Sequence, residues 1–215
     1  MSATAGRFLT LEGIEGVGKT TLVARLSDSL RGRGIDHVVT REPGGTPLAE
    51  RIRGIVLDSA AGESLPATAE LLLMFAGRAV HLANHVEPNL RAGRWVLCDR
   101  FTDATYAYQG GGRRVSMETI RQLEVMVQGG RRPDLTLWLD APVEQALNRA
   151  RGRNSGAVVD RFESERAEFF ERVREVYRAR AHAEPDRIRV IDATQSADGV
   201  AAQVIELLAK RSWIS

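Results

Sequence analysis

The sequence has little cysteine and no long apolar run. Cys98 is the only cysteine, so no disulfide can form within the chain, which is typical of proteins kept in a reducing cytoplasm. The apolar run 71–76 is among the longest, and it falls far short of the roughly 20 residues that span a bilayer. Residues 1–6 lack the basic stretch and apolar segment of a secretion signal. We therefore expect a cytoplasmic protein that is not inserted in a membrane.

Lysine is also scarce. Lys19 and Lys210 are the only lysines among 30 basic residues, and the other 28 are arginines. The 28 acidic residues nearly balance them, and a net charge of +2 is too small for a dedicated nucleic-acid-binding protein. With 43% hydrophobic and 27% charged residues, the composition is that of a folded globular protein. We expect no nucleic-acid partner, and the length of 215 residues predicts one domain, 1–215.

Strand-like segments alternate with amphipathic helical ones along the chain. Apolar, β-rich runs predict five strands, at residues 8–11, 37–40, 94–98, 135–139 and 188–191. Apolar residues at helical spacing predict helices at residues 20–30, 46–57, 67–90, 117–127, 143–151, 163–181 and 200–208. We expect region 67–90 to bend near Pro88. The alternation predicts an α/β fold with three layers, a parallel sheet with helices on both faces.

A phosphate-binding motif lies between the first predicted strand and the first predicted helix. Residues 13–20 read Gly-Ile-Glu-Gly-Val-Gly-Lys-Thr and match G-x-x-x-x-G-K-[ST] at every fixed position. Backbone amides of such a loop, with the helix N-terminus behind them, bind phosphate oxygens. Lys19 is expected to reach the β- and γ-phosphates, and the Thr20 hydroxyl to bind Mg²⁺. The fold is therefore expected to be of the P-loop NTPase type, with ATP contacted by Gly13, Ile14, Glu15, Gly16, Val17, Gly18, Lys19, Thr20 and Thr21.

A metal site needs a second acidic position, and two predicted strands are followed by aspartate. Asp99 is preferred, because Arg100 follows it and a phosphate site favours that pairing. Asp140 precedes a helix, so we expect it to cap that helix. An Asn-Lys-x-Asp segment that would read guanine is absent from the sequence, which argues against a GTPase.

Five further segments, taken with the phosphate loop, resemble the thymidylate kinase family. They read Thr40-Arg41-Glu42-Pro43-Gly44-Gly45-Thr46, Asp99-Arg100-Phe101, Ala107-Tyr108-Gln109-Gly110-Gly111-Gly112-Arg113, Arg132-Pro133-Asp134 and Asp160-Arg161-Phe162-Glu163. The resemblance is to the bacterial class, whose phosphate loop carries no arginine. It implies phosphorylation of dTMP to dTDP with Mg²⁺ and ATP, a step in dTTP synthesis, by a homodimer. Another nucleoside or nucleotide kinase of the same fold, and a non-catalytic nucleotide-binding switch, are the alternatives.

The resemblance also implies a dTMP site. Arg100 would bind the monophosphate as a bidentate fork, and Glu15 would bind the 3′-hydroxyl. The family places an aromatic residue four positions before the arginine that Arg78 matches, and this chain has Met74 there, followed by Phe75. Either side chain could cover the thymine, and we favour Phe75 for stacking. The site would be completed by Arg41, Glu42, Thr105 and Gln109.

An arginine-rich segment at about 150–161 is expected to form a lid. The resemblance favours Arg153 as the residue that neutralises charge on the transferring phosphoryl group, with Arg151 and Arg161 as alternatives. The predicted catalytic residues are Lys19, Arg100, Arg151 and Arg153.

Overall fold

A five-stranded sheet forms the centre of the molecule. The computed structural model describes residues 6–58, 64–153 and 167–214, with side chains for all of these except 151–153. The strands are β1 (Phe8–Glu12), β2 (His37–Arg41), β3 (Trp95–Asp99), β4 (Leu135–Asp140) and β5 (Ile188–Asp192). They lie in the order β2-β3-β1-β4-β5, and every neighbouring pair is parallel. The predicted five-stranded parallel sheet is confirmed.

Each strand ends on a charged residue, one position beyond the end that the apolar pattern predicts. These residues are Glu12, Arg41, Asp99, Asp140 and Asp192. The hydrogen bonds between strands continue past the last apolar side chain, because they join backbone N–H and C=O groups and do not depend on the side chain. Parallel strands present their carboxyl ends at one edge of the sheet, which is where ligands bind in open α/β folds. Charged side chains therefore gather at the edge where the phosphate loop leaves β1.

Nine α-helices lie around the sheet in the described part of the chain. They are α1 (Lys19–Gly32), α2 (Pro47–Leu57), α3 (Ala67–His81), α4 (Glu87–Arg91), α5 (Thr102–Thr105), α6 (Met117–Gln128), α7 (Val143–Arg153), α8 (Ala167–Ala183) and α9 (Ala197–Lys210). Thr46 caps α2 by accepting from the Ala49 amide at 3.2 Å, and Ser196 caps α9 by accepting from Gly199 at 3.2 Å. Across residues 6–58, 64–153 and 167–214, none of the helices combines the length and apolar character needed to cross a membrane.

The predicted helix 67–90 is divided before Pro88. A π-helical segment, Leu82–Val86, joins α3 to α4. Proline has no amide hydrogen, and its ring clashes with the carbonyl of the residue four positions earlier, here Asn84. A widened turn relieves that clash, because the Glu87 amide bonds the Leu82 carbonyl five positions back.

Residues 102–112 were not predicted to be helical, yet they form α5 and a π-helical segment, Tyr106–Gly112. Three glycines end this segment, and glycine is unfavourable inside a helix. In the fold they make room for α8. A Cβ on Gly111 would lie 2.9 Å from the Arg172 carbonyl oxygen, and one on Gly112 would lie 2.3 Å from the Phe169 ring. The close packing of α8 therefore overrides the local signal.

Candidate active site

The loop after β1 has a backbone that requires glycine. Gly13, Gly16 and Gly18 have φ values of 132°, 84° and 97°, which L-residues rarely adopt. A Cβ on Gly16 would lie 1.9 Å from the carbonyl oxygen of Ala146 on α7, and one on Gly13 would lie 2.6 Å from that of Leu139. The loop is thus held against β4 and α7, with the N-terminus of α1 directly behind it.

Lys19 is folded against this loop. It is 6% exposed, and its Nζ donates to the carbonyl oxygens of Gly13 and Ile14, both at 3.0 Å. Burial, and then the charge of Arg100, lower the pKa of Lys19 to about 8. The ammonium lies at the positive end of α1, so the loop, the helix and the lysine all favour an anion at this place.

A cavity of about 480 Å³ adjoins the loop, and we call it the loop cavity. Its lining comes from the loop, α1, α7 and the start of α9, and consists of Gly16, Val17, Gly18, Thr21, Leu22, Arg149, Ala193, Gln195, Ser196, Ala197 and Val200. Arg149 is part of this lining and donates to the Ala193 carbonyl at 2.8 Å. The wall is mostly apolar and includes the planar guanidinium of Arg149, which can stack on a ring. Beside a phosphate-binding loop, such a cavity suits the base of a nucleotide.

A second cavity of about 220 Å³, the Arg100 cavity, lies beside the same loop. It is lined by Glu15, Pro43, Arg53, Leu57, Met74, Arg100, Ala104, Tyr108, Gln109 and Phe170. The structure therefore brings together Glu15, Met74, Arg100 and Gln109, four of the residues proposed for the dTMP site, from four separate parts of the chain.

Arg100 has an unusual backbone that aims its side chain into this cavity. Its φ is 71°, and its amide bonds the Leu11 carbonyl at 2.9 Å. One guanidinium nitrogen donates to the Tyr108 hydroxyl at 2.9 Å and lies 3.9 Å from a carboxylate oxygen of Glu15. Within the described residues, the buried Nε of Arg100 has no hydrogen-bond partner. The Nε hydrogen of Arg100 is therefore available to bind an anionic ligand.

Arg78 is buried and is not among the residues that line the Arg100 cavity. It is 2% exposed; its Nε donates to Glu42 at 2.7 Å and its Nη2 to the Thr105 hydroxyl at 2.9 Å. The other carboxylate oxygen of Glu42 lies 2.9 Å from Nδ1 of His81. The structure thus places Glu42 and Thr105 as supports of Arg78, while the buried Nη1 of Arg78 lacks a partner in the part of the chain that is described.

Met74 and Phe75 occupy different surroundings. Met74 lines the Arg100 cavity. Phe75 is 2% exposed and packs in a cluster with Leu71, Tyr106 and Ile120. Its ring lies 4.9 Å from the guanidinium carbon of Arg78, so Phe75 contacts the arginine.

Arg41 lies outside the Arg100 cavity. It is half-exposed and pairs with Glu50 at 2.9 Å. It lines a third cavity of about 390 Å³, the Asp99 cavity, together with Thr20 and Asp99.

Thr20 and Asp99 suit a magnesium ion. Oδ1 of Asp99 is buried and has no hydrogen-bond partner among the residues described, and Thr20 contributes a hydroxyl to the same cavity. The described residues contain no group of three or more His, Cys, Asp or Glu side chains placed to hold a metal. This sparse donor set fits Mg²⁺, which keeps several waters and takes ligands from substrate phosphates.

Asp140, the other aspartate considered, has a structural partner. Its carboxylate accepts two hydrogen bonds from Arg174 on α8, at 2.7 and 3.0 Å. Because α7 begins at Val143, Asp140 does not cap that helix, and the expectation of a cap is wrong.

Three arginines, at positions 151, 153 and 161, were predicted to act from the lid. Arg161 and the side chains of Arg151 and Arg153 lie outside the described residues, although α7 itself runs to Arg153.

Six of the ten residues that line the Arg100 cavity were not among the predicted site residues, and two of these six, Arg53 and Tyr108, carry polar groups. Arg53 on α2 donates to the Pro43 carbonyl at 3.0 Å, and nothing in the sequence distinguishes it from the other helix arginines. Tyr108 stands beside Gln109 in one of the segments quoted above, but sequence alone left packing and ligand contact equally open for it.

Comparison with known proteins agrees with this geometry. A profile of the thymidylate kinase family matches residues 11–204. The chain is 54% identical over 214 residues to the thymidylate kinase of Alkalilimnicola ehrlichii, covering 99% of this chain and 97% of that protein. It is 57% identical over 212 residues to that of Chromohalobacter salexigens, covering 98% and 99%. The crystal structure of thymidylate kinase from Ehrlichia chaffeensis matches with a TM-score of 0.77 and 32% identity, covering 95% of this chain and 99% of that one. The family profile and the identity to these relatives show, in agreement with the phosphate loop and the sheet order, that this chain belongs to the thymidylate kinase family.

Proposed function

We propose that this protein transfers the γ-phosphoryl group of Mg²⁺-ATP to dTMP, giving ADP and dTDP. The observation that carries the proposal is the placement of two cavities beside one phosphate-binding loop. The loop cavity offers backbone amides and Arg149, and the Arg100 cavity offers guanidinium groups and a carboxylate. Two nucleotides bound in this way would have their phosphates adjacent, between Lys19 and Arg100.

ATP would bind with its phosphates on residues 13–20 and its base in the loop cavity, beside Thr21 and Arg149. Lys19 would leave the loop carbonyls and bind the β- and γ-phosphates. Thr20 and Asp99 would hold Mg²⁺, directly or through water. The ion, when bound, neutralises charge on the phosphate oxygens.

dTMP would occupy the Arg100 cavity. Arg100 and Tyr108 would bind its phosphate, with Arg53 at the same wall, and Glu15 would accept from the 3′-hydroxyl. Met74 would cover the thymine with its polarizable sulfur. Arg78 would donate through Nη1 to a carbonyl of the base, supported by Glu42, Thr105 and Phe75.

This phosphoryl transfer requires little covalent chemistry from the protein. A phosphate oxygen of dTMP attacks the γ-phosphorus in line, and a dianionic phosphate needs no general base. The protein positions two anions and screens their repulsion. The lid at about 150–161 would exclude water, and Arg153, or else Arg151 or Arg161, would neutralise the developing charge. Arg153→Ala should then lower kcat more than it weakens dTMP binding.

A homodimer of single-domain subunits is part of the proposal. Large apolar side chains are exposed on three helices that pack in a row, with Ile55 at 58%, Leu72 at 53%, Val125 at 57% and Met126 at 77%. A second copy of the chain would cover them and remove this apolar area from water. Met126→Asp should shift the protein to monomer in sedimentation velocity.

Turnover with a panel of acceptors tests the activity. ATP and Mg²⁺ are supplied with dTMP, dUMP, dCMP or thymidine, and both ADP and the phosphorylated product are measured. We expect dTDP and ADP in equal amounts, with dTMP the best acceptor. Phosphorylation of thymidine but not of dTMP would assign another kinase of this fold. ADP formation that ignores every acceptor would assign a nucleotide switch.

A further inference from the structure

Gln109 and Glu70 form a buried pair at the wall of the Arg100 cavity. Both side chains are 0% exposed. Nε2 of Gln109 donates to Oε1 of Glu70 at 2.9 Å, which joins the segment after β3 to α3. Gln109 lines the cavity, and its Oε1 is buried without a partner among the described residues.

The carboxylate determines which way the amide of Gln109 faces. An ionised carboxylate only accepts hydrogen bonds, whereas an amide has one end that donates and one that accepts. The end of Gln109 next to Glu70 must therefore be the NH₂ group, and the acceptor oxygen must lie on the other side. The guanidinium of Arg113, 3.6 Å from Oε1 of Glu70, compensates the buried negative charge.

The cavity wall thus offers a buried acceptor at Gln109 Oε1, and Arg78 offers a buried donor at Nη1 one helical turn from Met74. Thymine and uracil present N3–H as a donor and O4 as an acceptor. Cytosine presents the reverse, because N3 is an acceptor and N4 carries the hydrogens. A buried acceptor that meets another acceptor is left unsatisfied, which costs free energy.

We infer that Glu70 is a positioning residue that selects the pyrimidine: it orients Gln109 so that Oε1 accepts from N3–H, which admits thymine and uracil and rejects cytosine. The inference rests on the proposed function, because it assigns a reader of the base to the same dTMP site. Glu70 itself does not line the Arg100 cavity, and it acts through Gln109.

The test compares kcat/KM for dTMP, dUMP and dCMP in the wild type and in Glu70→Gln. A neutral amide at position 70 can donate or accept, so Gln109 is free to turn its NH₂ group toward the base. We expect the dTMP/dCMP ratio to fall about tenfold, as for the loss of one discriminating hydrogen bond. The dTMP/dUMP ratio should stay within about twofold, because the two bases share the N3–H and O4 edge.

Two further variants separate orientation from general damage. Glu124→Gln alters another buried carboxylate, which accepts from the Tyr106 hydroxyl at 2.6 Å, and should leave both ratios unchanged. Glu70→Asp keeps the charge beside Arg113 but shortens the reach to Gln109, and should lower the dTMP/dCMP ratio even if Glu70→Gln fails to fold.

An unchanged dTMP/dCMP ratio in whichever Glu70 variants fold, or an equal fall in both ratios, overturns the role of Glu70. A wild type that does not phosphorylate dTMP overturns the proposed function itself. The two failures are therefore distinguishable.

Discussion

The hydroxyl of Tyr177 donates a hydrogen bond of 2.7 Å to Glu12, a residue 165 positions earlier in the chain. Both side chains are buried. The second carboxylate oxygen of Glu12 accepts from the Phe101 amide at 2.7 Å, directly after Arg100. One carboxylate thus ties the end of β1 and the backbone beside Arg100 to α8. Burial, and then the negative charge of Asp103, raise the pKa of Glu12 to about 8.

Removal of the Tyr177 hydroxyl should cost more at high pH than at low pH. Glu12 ionises in the folded state only near pH 8, above its ordinary value of 4.5, and the Tyr177 hydrogen bond favours the ionised form. We expect Tyr177→Phe to lower the free energy of unfolding by about 1–3 kcal/mol at pH 9, and by less at pH 6. Urea unfolding at the two pH values measures this, and an equal loss at both would contradict it.

Asp103 should stabilise the fold down to acid pH. Burial alone would raise the pKa of Asp103, but hydrogen bonds and charges from Arg187 and Arg180 outweigh it and lower the pKa to about 2. Its contribution is therefore complete above the ordinary value of 3.8 and is lost as the pH falls to about 2. Asp103→Asn should cost about 3–5 kcal/mol at pH 7, and progressively less below pH 4.

The exposed pair of Asp198 and Arg25 is the matched control for Asp103, because Asp198 is 85% exposed. Asp198→Asn should change the free energy of unfolding by less than about 1 kcal/mol at any pH. Similar losses in the two variants would show that the buried cluster has no special role.

Two glycines of the phosphate loop should differ in their tolerance of alanine. Both have positive φ, but a Cβ on Gly16 meets the Ala146 carbonyl at 1.9 Å, whereas one on Gly18 meets nothing within 4 Å. Gly18→Ala should cost only the backbone strain, about 1–2 kcal/mol. Gly16→Ala should cost clearly more, because α7 must move. Unfolding without nucleotide measures the difference, and equal costs would contradict the close approach of α7.

Lys19 should make ATP binding weaken in alkaline solution. Its pKa of about 8 in the free protein means that the ammonium loses its proton as the pH rises through that value. We expect the Kd for ATP to increase about fivefold between pH 8 and pH 9, because only the protonated form binds and its share falls from about a half to about a tenth. Lys19→Arg stays charged and should show a flat profile. Lys19→Ala should abolish turnover while leaving the fold intact.

The sequence predicts the parts of this molecule whose signal is local. Strands and phosphate loop follow from short patterns, and Arg100 and Gln109 lie in segments that resemble the family. What the sequence does not show is which side chains meet across the fold. The bond from Tyr177 to Glu12 and that from Gln109 to Glu70 each join residues far apart in the chain.

The sequence also could not show which of two adjacent residues on α3 faces the Arg100 cavity. Met74 and Phe75 both lie near Arg78 in any helical arrangement, and only the packing of Phe75 against Leu71 and Ile120 places Met74 at the cavity. The helical form of segment 110–112 was not predicted either, because it depends on the packing of α8 against these glycines.

A crystal structure with dTMP and a non-hydrolysable ATP analogue is the most direct test of the account. We predict the dTMP phosphate within hydrogen-bond distance of the Arg100 guanidinium, the triphosphate on residues 13–20, and the thymine against Met74. An Arg100 cavity closed by protein side chains, or dTMP bound with its phosphate away from Arg100, would contradict the account.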